Sequence, residues 1–182
     1  MLRNFIKHRL QIICIFYLLT ITAFGQSINT IRVLLPQQIV ERGLSGGEVH
    51  QYQITLAADE FLQIRVEQKG TDVVLKLVDA NGKQLAMMDS PNGIAGFETL
   101  SWVALTAGDY EIFVSSLEKQ ASVGAYSLRR ENKRLATIGD RRRVEIERVY
   151  GEGLAAREAG GQTATAIAKL EDALKGWRIA GK

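Results

Sequence analysis

Few residues in this chain could support chemistry, and they lie far apart in the sequence. His50 is the only histidine after the first ten residues, so a Ser–His or Cys–His catalytic pair would have to use it. No nucleophile motif accompanies His50, and the single cysteine, Cys14, lies in an apolar stretch near the N-terminus. We therefore predict no catalytic residues, and we expect His50 to be a solvated residue of a strand.

Acidic and amide side chains recur in predicted turns, where their oxygens could ligate calcium. Their spacing matches no calcium-binding loop, and Asp and Asn in turns commonly accept hydrogen bonds from nearby backbone instead. We therefore favour turn chemistry and predict no cofactor, with calcium as the alternative. The metal candidates are Asp72, Asp79, Asn81 and Asp89.

Two further features could bind ligands but have simpler explanations. The arginines at 141–143 could contact nucleic acid or anionic lipid, yet Glu145 and Glu147 dilute their charge, which favours a solvated helix face. Trp102 could stack on a sugar, but it alternates with Leu100 and Ala104 in a pattern typical of a core strand. We predict no nucleic-acid partner.

The N-terminus has the pattern of a secretory signal. Three basic residues occur within the first nine positions, an apolar run follows at 10–24, and small residues stand at Ala23 and Gly25. We predict a signal peptide over 1–25, cleavage between Gly25 and Gln26, and export to the periplasm, cell envelope or medium. The alternative is an uncleaved anchor, the one way in which we expect the chain to contact a membrane.

From Gln26 onward, short runs alternate apolar and polar residues at the period of a strand. The run at 73–78 is bounded by a turn on each side, and Pro, Gly and Asn mark turns between the other runs. The segment 42–48 holds three glycines, and we expect it to be a loop. About eight strands with this spacing predict a mainly β fold, an antiparallel jelly-roll-like β-sandwich over 26–130. The other predicted strands lie at 31–35, 51–56, 62–67, 84–89, 100–104, 110–114 and 126–129.

After Arg130 the apolar spacing becomes helical. The run 141–158 and the run from Thr163 predict an α-helical hairpin over 131–182, with Asp140 as the N-cap of the first helix. One helix pair leaves an apolar face uncovered, so we expect the second helix to dock on a protein: further helical repeats, its own sandwich or a second copy. The predicted docking residues are Ile167, Leu170, Leu174 and Trp177.

The charge distribution separates the same two parts. Residues 26–128 carry 7 basic and 12 acidic residues, whereas residues 129–182 carry 13 basic and 8 acidic residues. This asymmetry indicates two modules with opposite net charge.

Five segments of the predicted sandwich are GGEVHQY at 46–52, FLQIRV at 61–66, DVVLKL at 72–77, DANG at 79–82 and AGDY at 107–110, the last continuing as EIFV. These segments resemble the bacterial pre-peptidase C-terminal (PPC) domain, and the resemblance covers about 33–130. It is most specific in DVVLKLVDANG at 72–82 and in AGDYEIFV at 107–114. The resemblance implies a jelly-roll-like sandwich found on secreted proteins, a non-catalytic accessory module.

The helical part resembles the start of a tetratricopeptide (TPR) array. Ala166, Leu170 and Ala173 match the second helix of that repeat, and Tyr150 can stand for an aromatic residue of the first. The first helix departs from the repeat at Gly153, Leu154 and Arg157. The combination is similar to the N-terminus of large secreted bacterial proteins that carry such repeats and often a CHAT protease domain.

The sequence therefore predicts a non-enzymatic, exported interaction module, a sandwich attached to a TPR-like protein-binding region. The alternative from the same residues is a carbohydrate- or calcium-binding sandwich. A row of exposed aromatic residues on one sheet face would indicate the first of these ligands, and the sequence contains no such row.

Overall fold

The computed structural model describes residues 31–160 and 163–181; the predicted signal peptide and its cleavage site at Gly25 and Gln26 lie outside them. The described part is a two-sheet β-sandwich followed by two helices, which confirms the predicted mainly β fold. The strands are β1 (Arg32–Val33), β2 (Ile39–Leu44), β3 (Val49–Leu56), β4 (Glu60–Lys69), β5 (Val73–Asp79), β6 (Gln84–Met88), β7 (Ala95–Val103), β8 (Gly108–Ser116) and β9 (Gly124–Leu135).

One sheet has the strand order β1-β3-β8-β5-β6, and the other has the order β2-β9-β4-β7. Every pairing is antiparallel except that of the two-residue strand β1 with β3, which is parallel. The chain changes sheet between β1 and β2 at a turn in which Gln37 has a φ of 59°.

The core lies between the sheets and is built mainly from alternate residues of the longer strands. On β4, Leu62, Ile64 and Val66 are all fully buried, as the predicted alternation requires. Each such side chain contributes about 1.5–3 kcal/mol by leaving water. The two inner faces therefore supply a continuous apolar core without disulfides among the described residues.

The segment predicted as a loop at 42–48 is instead partly a strand. β2 pairs with β9 over Ile39–Leu44, and Val40 and Leu44 are buried with exposed residues between them. One of the three glycines misled the prediction: Gly43 lies within the strand, whereas Gly46 and Gly47 form the turn after it. β9 is twelve residues long and can pair with both β2 and β4.

The first helix, α1 (Ile138–Glu158), begins with a capping box. Thr137, not Asp140, is the N-cap: its hydroxyl accepts a hydrogen bond from the Asp140 N–H, and the Asp140 carboxylate accepts one from the Thr137 N–H. Arg134 also donates two hydrogen bonds to the Asp140 carboxylate, at 2.6 and 2.9 Å. The end of β9 and the start of α1 are thus fixed together.

The second helix, α2 (Thr163–Ile179), packs antiparallel against α1, which confirms the predicted hairpin. Glycines allow the close approach: Gly153 of α1 lies under Leu170, and Gly176 of α2 lies under Ile146. Neither of the described helices is long and apolar enough to cross a membrane.

Candidate interaction surface on the helix pair

Helix α1 covers the opening of the sandwich between β6 and β7, each of which is the last strand of its sheet. Gly151 has no side chain, and a Cβ there would lie 3.3 Å from the Met87 carbonyl oxygen of β6. Tyr150 packs against the sandwich core. Because α1 blocks these two edges, neither is open for pairing with another strand.

A polar chain joins α1 to the outer face of the four-stranded sheet. The Glu147 carboxylate accepts hydrogen bonds from the backbone N–H and the hydroxyl of Ser101 on β7, at 2.9 and 3.0 Å. Gln63 on β4 donates to the Ser101 hydroxyl at 3.3 Å, and Asn132 on β9 donates to Gln63 at 3.0 Å. Glu147 therefore satisfies an edge-strand N–H and attaches the helix pair to the sandwich.

Two cavities lie where the helices meet the sandwich. The first, about 280 Å³, is bordered by β6, β7 and α1, and it includes Trp102. The second, about 400 Å³, is bordered by Trp177 of α2, Tyr150 of α1 and Phe97 of β7. The sequence placed Trp102 in the core; its ring packs against the core and also lines the first cavity.

The four predicted docking residues fall into two pairs. Leu170 is half-buried over Gly153, and Trp177 is half-buried at the second cavity beside the sandwich. Ile167 and Leu174 are 52% and 49% exposed, and their spacing of seven positions, two helical turns, places both on one flank of α2. Their role in binding a protein stays a prediction.

An apolar groove on the other flank of α2 was not predicted. It has a volume of about 530 Å³ and is lined only by residues of the two helices. Ile138 at the start of α1 and Ile179 at the end of α2 are 74% and 83% exposed, while Ile146 and Gly176 lie deeper in the groove. Sequence reasoning missed it because the two isoleucines are 41 positions apart, and only the antiparallel packing brings both helix ends together.

The arginines at 141–143 lie beside this groove and the second cavity. Arg141 is ion-paired with Asp59 of the sandwich at 2.8 Å, and Arg143 lines the second cavity. Arg142 is exposed, lines the groove and makes no ion pair among residues 31–160 and 163–181. The run is therefore not a uniform solvated face.

The prediction that His50 is solvated was wrong. His50 is only 6% exposed, and its Nδ1 lies 2.8 Å from the hydroxyl of Tyr126, which in turn lies 2.6 Å from the hydroxyl of Tyr52. Burial lowers the pKa of His50 and raises the pKa of Tyr126, so the ring is neutral and the phenol protonated near pH 7. These three polar side chains satisfy one another inside the sandwich.

A buried carboxylate was also missed. Glu98 on β7 is fully buried and accepts hydrogen bonds from the N–H and hydroxyl of Ser90 and from the Gln68 amide. Burial raises the pKa of Glu98, and the Ser90 hydrogen bonds oppose that rise. The Gln68 amide oxygen accepts from the Val73 N–H, so the cluster connects β4, β5, β7 and the turn after β6. The local signal for this burial is that Glu98 lies two residues before Leu100, in the same inward-facing row of β7.

The metal candidates do not converge. Asp72 precedes β5 and Asp79 ends it, so about 20 Å of extended chain separates them. The Asp79 carboxylate accepts hydrogen bonds from the backbone N–H groups of Asn81 and Lys83, both at 2.9 Å, which is turn chemistry. Asp89 follows β6 and has an interaction within the described chain. Within the described ranges no group of three or more His, Cys, Asp or Glu could hold a metal ion.

Comparison with known proteins finds similarity to solved structures only. The chain is similar to the pre-peptidase C-terminal domain of a collagenase from Bacillus anthracis, with 18% identity over 56% of this chain and 95% of that chain and a TM-score of 0.47. It is also similar to PliG, a periplasmic lysozyme inhibitor of g-type lysozyme from Aeromonas hydrophila, with 10% identity over 54% of this chain and 96% of that chain and a TM-score of 0.40. The C-terminal CBM6 of LamC from Zobellia galactanivorans is 17% identical over 50% of this chain and 87% of that chain, with a TM-score of 0.32.

No protein-family model matches the chain, and no curated protein matches it. At these identities and TM-scores the assignment of a β-sandwich rests on the strand pairing itself. The described chain is thus a two-sheet β-sandwich whose open side is covered by α1, the first helix of a helix pair. The TPR-like and CHAT-type continuation remains a prediction from the sequence.

Proposed function

We propose that the chain is a non-catalytic, exported module in which the sandwich positions the helix pair to bind another protein. One observation carries this proposal: the helix pair displays exposed apolar side chains on both flanks of α2. They are Ile138, Ile167, Leu174 and Ile179. Exposed apolar surface on a folded domain commonly marks a site of protein association.

The enclosure of His50 within the sandwich supports the non-catalytic part of the proposal. His50 is enclosed with Tyr126 and Tyr52, and a general base must reach its substrate within hydrogen-bonding distance. Hydrolase assays on the purified chain should therefore show no turnover. An activity that disappears in His50→Ala while the fold is retained would overturn the non-catalytic part of the proposal.

The protein-binding part is tested by site-specific photo-crosslinking in the producing cells. A photo-reactive amino acid at Leu174 should give a discrete crosslinked protein, whether a second copy, a TPR-like repeat protein or another partner. The same amino acid at Ser122, an exposed position in the loop between β8 and β9, is the control. Equal or absent crosslinking from the two positions would contradict a partner on this flank of α2.

The carbohydrate-binding alternative has less support from the described residues. Phe97 is an exposed aromatic residue on the outer face of the four-stranded sheet, but the Arg65 guanidinium lies 3.7 Å from the centre of its ring. One face of the ring is therefore occupied by a cation and is closed to sugar stacking. A glycan array tests carbohydrate binding, and a glycan signal that is lost in Phe97→Ala would establish it. Calorimetry with Ca²⁺ tests the calcium-binding form of this alternative.

Export is proposed from the N-terminal sequence alone, which lies outside the described residues. Cleavage after Gly25 leaves a chain that begins at Gln26. Mass spectrometry of the envelope and the culture medium should detect this N-terminus. Recovery of the intact N-terminus from the cytosol, with no processed form, would refute export.

A further inference from the structure

The groove between the start of α1 and the end of α2 has walls of different character. Ile138 and Ile179 form its apolar sides, and Ile146 with Gly176 forms its deeper part. The groove has a volume of about 530 Å³ and lies at one end of the hairpin, between residues 138–146 and residues 176–180. A rod-shaped apolar ridge can fill such a groove, whereas a flat surface would touch only its two outer isoleucines.

The charge at the groove is set by the side chains that line it. Glu145 is bound by Arg148 through two hydrogen bonds, at 2.9 and 2.6 Å, so its charge is offset. Arg141 is offset in the same way by Asp59. Arg142 is left as the lining cation without an ion pair among the described residues.

The helix dipoles do not change the positive sign of the charge at the groove. The groove lies at the N-terminal end of α1, which carries partial positive charge, and at the C-terminal end of α2, which carries partial negative charge. Because the two ends lie side by side, their partial charges offset each other. The net charge offered to an incoming molecule is therefore that of the uncompensated Arg142.

We propose that this groove binds an amphipathic α-helix of another protein whose apolar ridge is flanked by acidic residues. The inference rests on the proposed protein-binding function and specifies the partner's chemistry. The ridge packs between Ile138 and Ile179, and an acidic side chain beside the ridge pairs with Arg142. An anionic membrane would also attract isoleucine and arginine, but the concave shape favours a helix over a bilayer surface.

A displayed library of amphipathic helical peptides tests the proposal. The peptides share one apolar ridge, the flanking positions vary among Asp, Glu, Lys, Arg, Ser and Gln, and selection uses the full chain. Peptides that bind the wild-type chain but do not bind the Ile179→Glu variant should be enriched in Asp and Glu at the flanking positions. Ile179 is 83% exposed, so this change should leave the fold intact, and Leu105→Glu, at 77% exposed, is the matched control.

The selected peptides then separate charge recognition from apolar contact. Arg142→Glu should weaken an acid-flanked peptide by about tenfold at low salt, a difference of about 1.4 kcal/mol, and the loss should shrink at high salt. Lys119→Glu, an exposed change on the sandwich, should have no effect. Vesicles of phosphatidylcholine and phosphatidylglycerol should not co-sediment with the chain.

Three results would overturn the inference: no groove-dependent binders, binders with basic flanks, or vesicle binding that Ile179→Glu abolishes. If the proposed protein-binding function is itself wrong, the photo-crosslink from Leu174 is absent as well. This result distinguishes failure of the function from failure of the groove proposal. A crosslink at Leu174 without acid-flanked binders would retain the protein-binding function and reject this groove as its acidic-helix site.

Discussion

Leu170 of α2 packs directly onto the backbone of α1 at Gly153, where a Cβ atom would lie 2.9 Å from the leucine Cγ. Gly153 counted against the first helix when it was compared with a TPR repeat. In the structure this glycine allows the two helices to meet. A residue unfavourable for an isolated helix is thus required for the pair.

Gly153→Ala should destabilise the protein by about 1–3 kcal/mol, because the added methyl forces Leu170 or the helix to shift. Gly139→Ala is the matched control: its Cβ would lie 3.6 Å from the nearest atom, in ordinary contact. That change should be neutral or stabilising by up to about 1 kcal/mol, as helix propensity predicts. Urea denaturation measures both, and equal effects at the two glycines would contradict the packing role.

Glu147→Ala should destabilise the protein by about 1–3 kcal/mol, because the Ser101 N–H and hydroxyl lose their acceptor in a partly buried site. Glu147→Gln keeps one acceptor oxygen and should cost less. Glu152→Ala removes only exposed ion pairs with Arg148 and Lys169, and should cost at most about 1 kcal/mol. The loss in the free energy of unfolding should be largest for Glu147→Ala, smaller for Glu147→Gln and smallest for Glu152→Ala. A larger loss for Glu152→Ala than for Glu147→Ala would refute the attachment role of Glu147.

Asp140→Asn should weaken the start of α1, since the carboxylate accepts from Arg134 and from both donors of Thr137. We expect a loss of about 1–2 kcal/mol near pH 7, in the range of lost caps and charged hydrogen bonds. Asp172→Asn, which alters an exposed pair with Lys175, is the control and should be nearly neutral.

The Arg134 hydrogen bonds hold the pKa of Asp140 well below its usual range. A depressed folded-state pKa contributes stability above the unfolded value of about 4, and that stability is lost as the pH falls through the folded value. Wild type should therefore lose more stability than Asp140→Asn between about pH 4 and pH 2. Parallel pH profiles for the two proteins would contradict this linkage.

Stability should also fall as the pH drops below about 6.5, the ordinary pKa of histidine, because burial lowers the pKa of His50 in the folded chain. In that window the unfolded chain binds a proton that folded His50 excludes. The stability difference between wild type and His50→Gln should shrink from pH 8 to pH 5. The raised pKa of Glu98 acts in the opposite direction in both proteins and cancels in the comparison. A constant difference would show that His50 is not the titrating group.

The sequence predicted features that depend on local spacing. Alternation located the inward residues Leu62, Ile64 and Val66, and helical spacing located the hairpin. His50 belongs to the same alternating row as Tyr52, Ile54 and Leu56, so the spacing does place it on the inward face, and the prediction overlooked this signal. Its contact with Tyr126 could not be inferred, because Tyr126 lies 76 residues further along the chain. Only the pairing of distant strands brings the two side chains together.

The candidate surface was predicted only in part, because some of its features depend on contacts between residues that are far apart in the sequence. Helical spacing placed Ile167 and Leu174 together on α2, where both are exposed, but it could not say that Leu170 and Trp177 would face α1 and the sandwich. The groove at Ile138 and Ile179 exists only after the helices pack antiparallel. Its two walls come from the start of α1 and the end of α2, which are far apart in the sequence, so no single helix contains the pattern of the groove.

β9 lies between β2 and β4, although it is the last of the described strands along the chain. The four-stranded sheet therefore lacks one of its two interior strands until Gly124–Leu135 has been synthesised. Contacts between residues this far apart in sequence make folding slow, because a long loop must close before they form. A nascent chain that ends before Gly124 cannot complete the sandwich, so the two-sheet fold is acquired only after β9 has been synthesised.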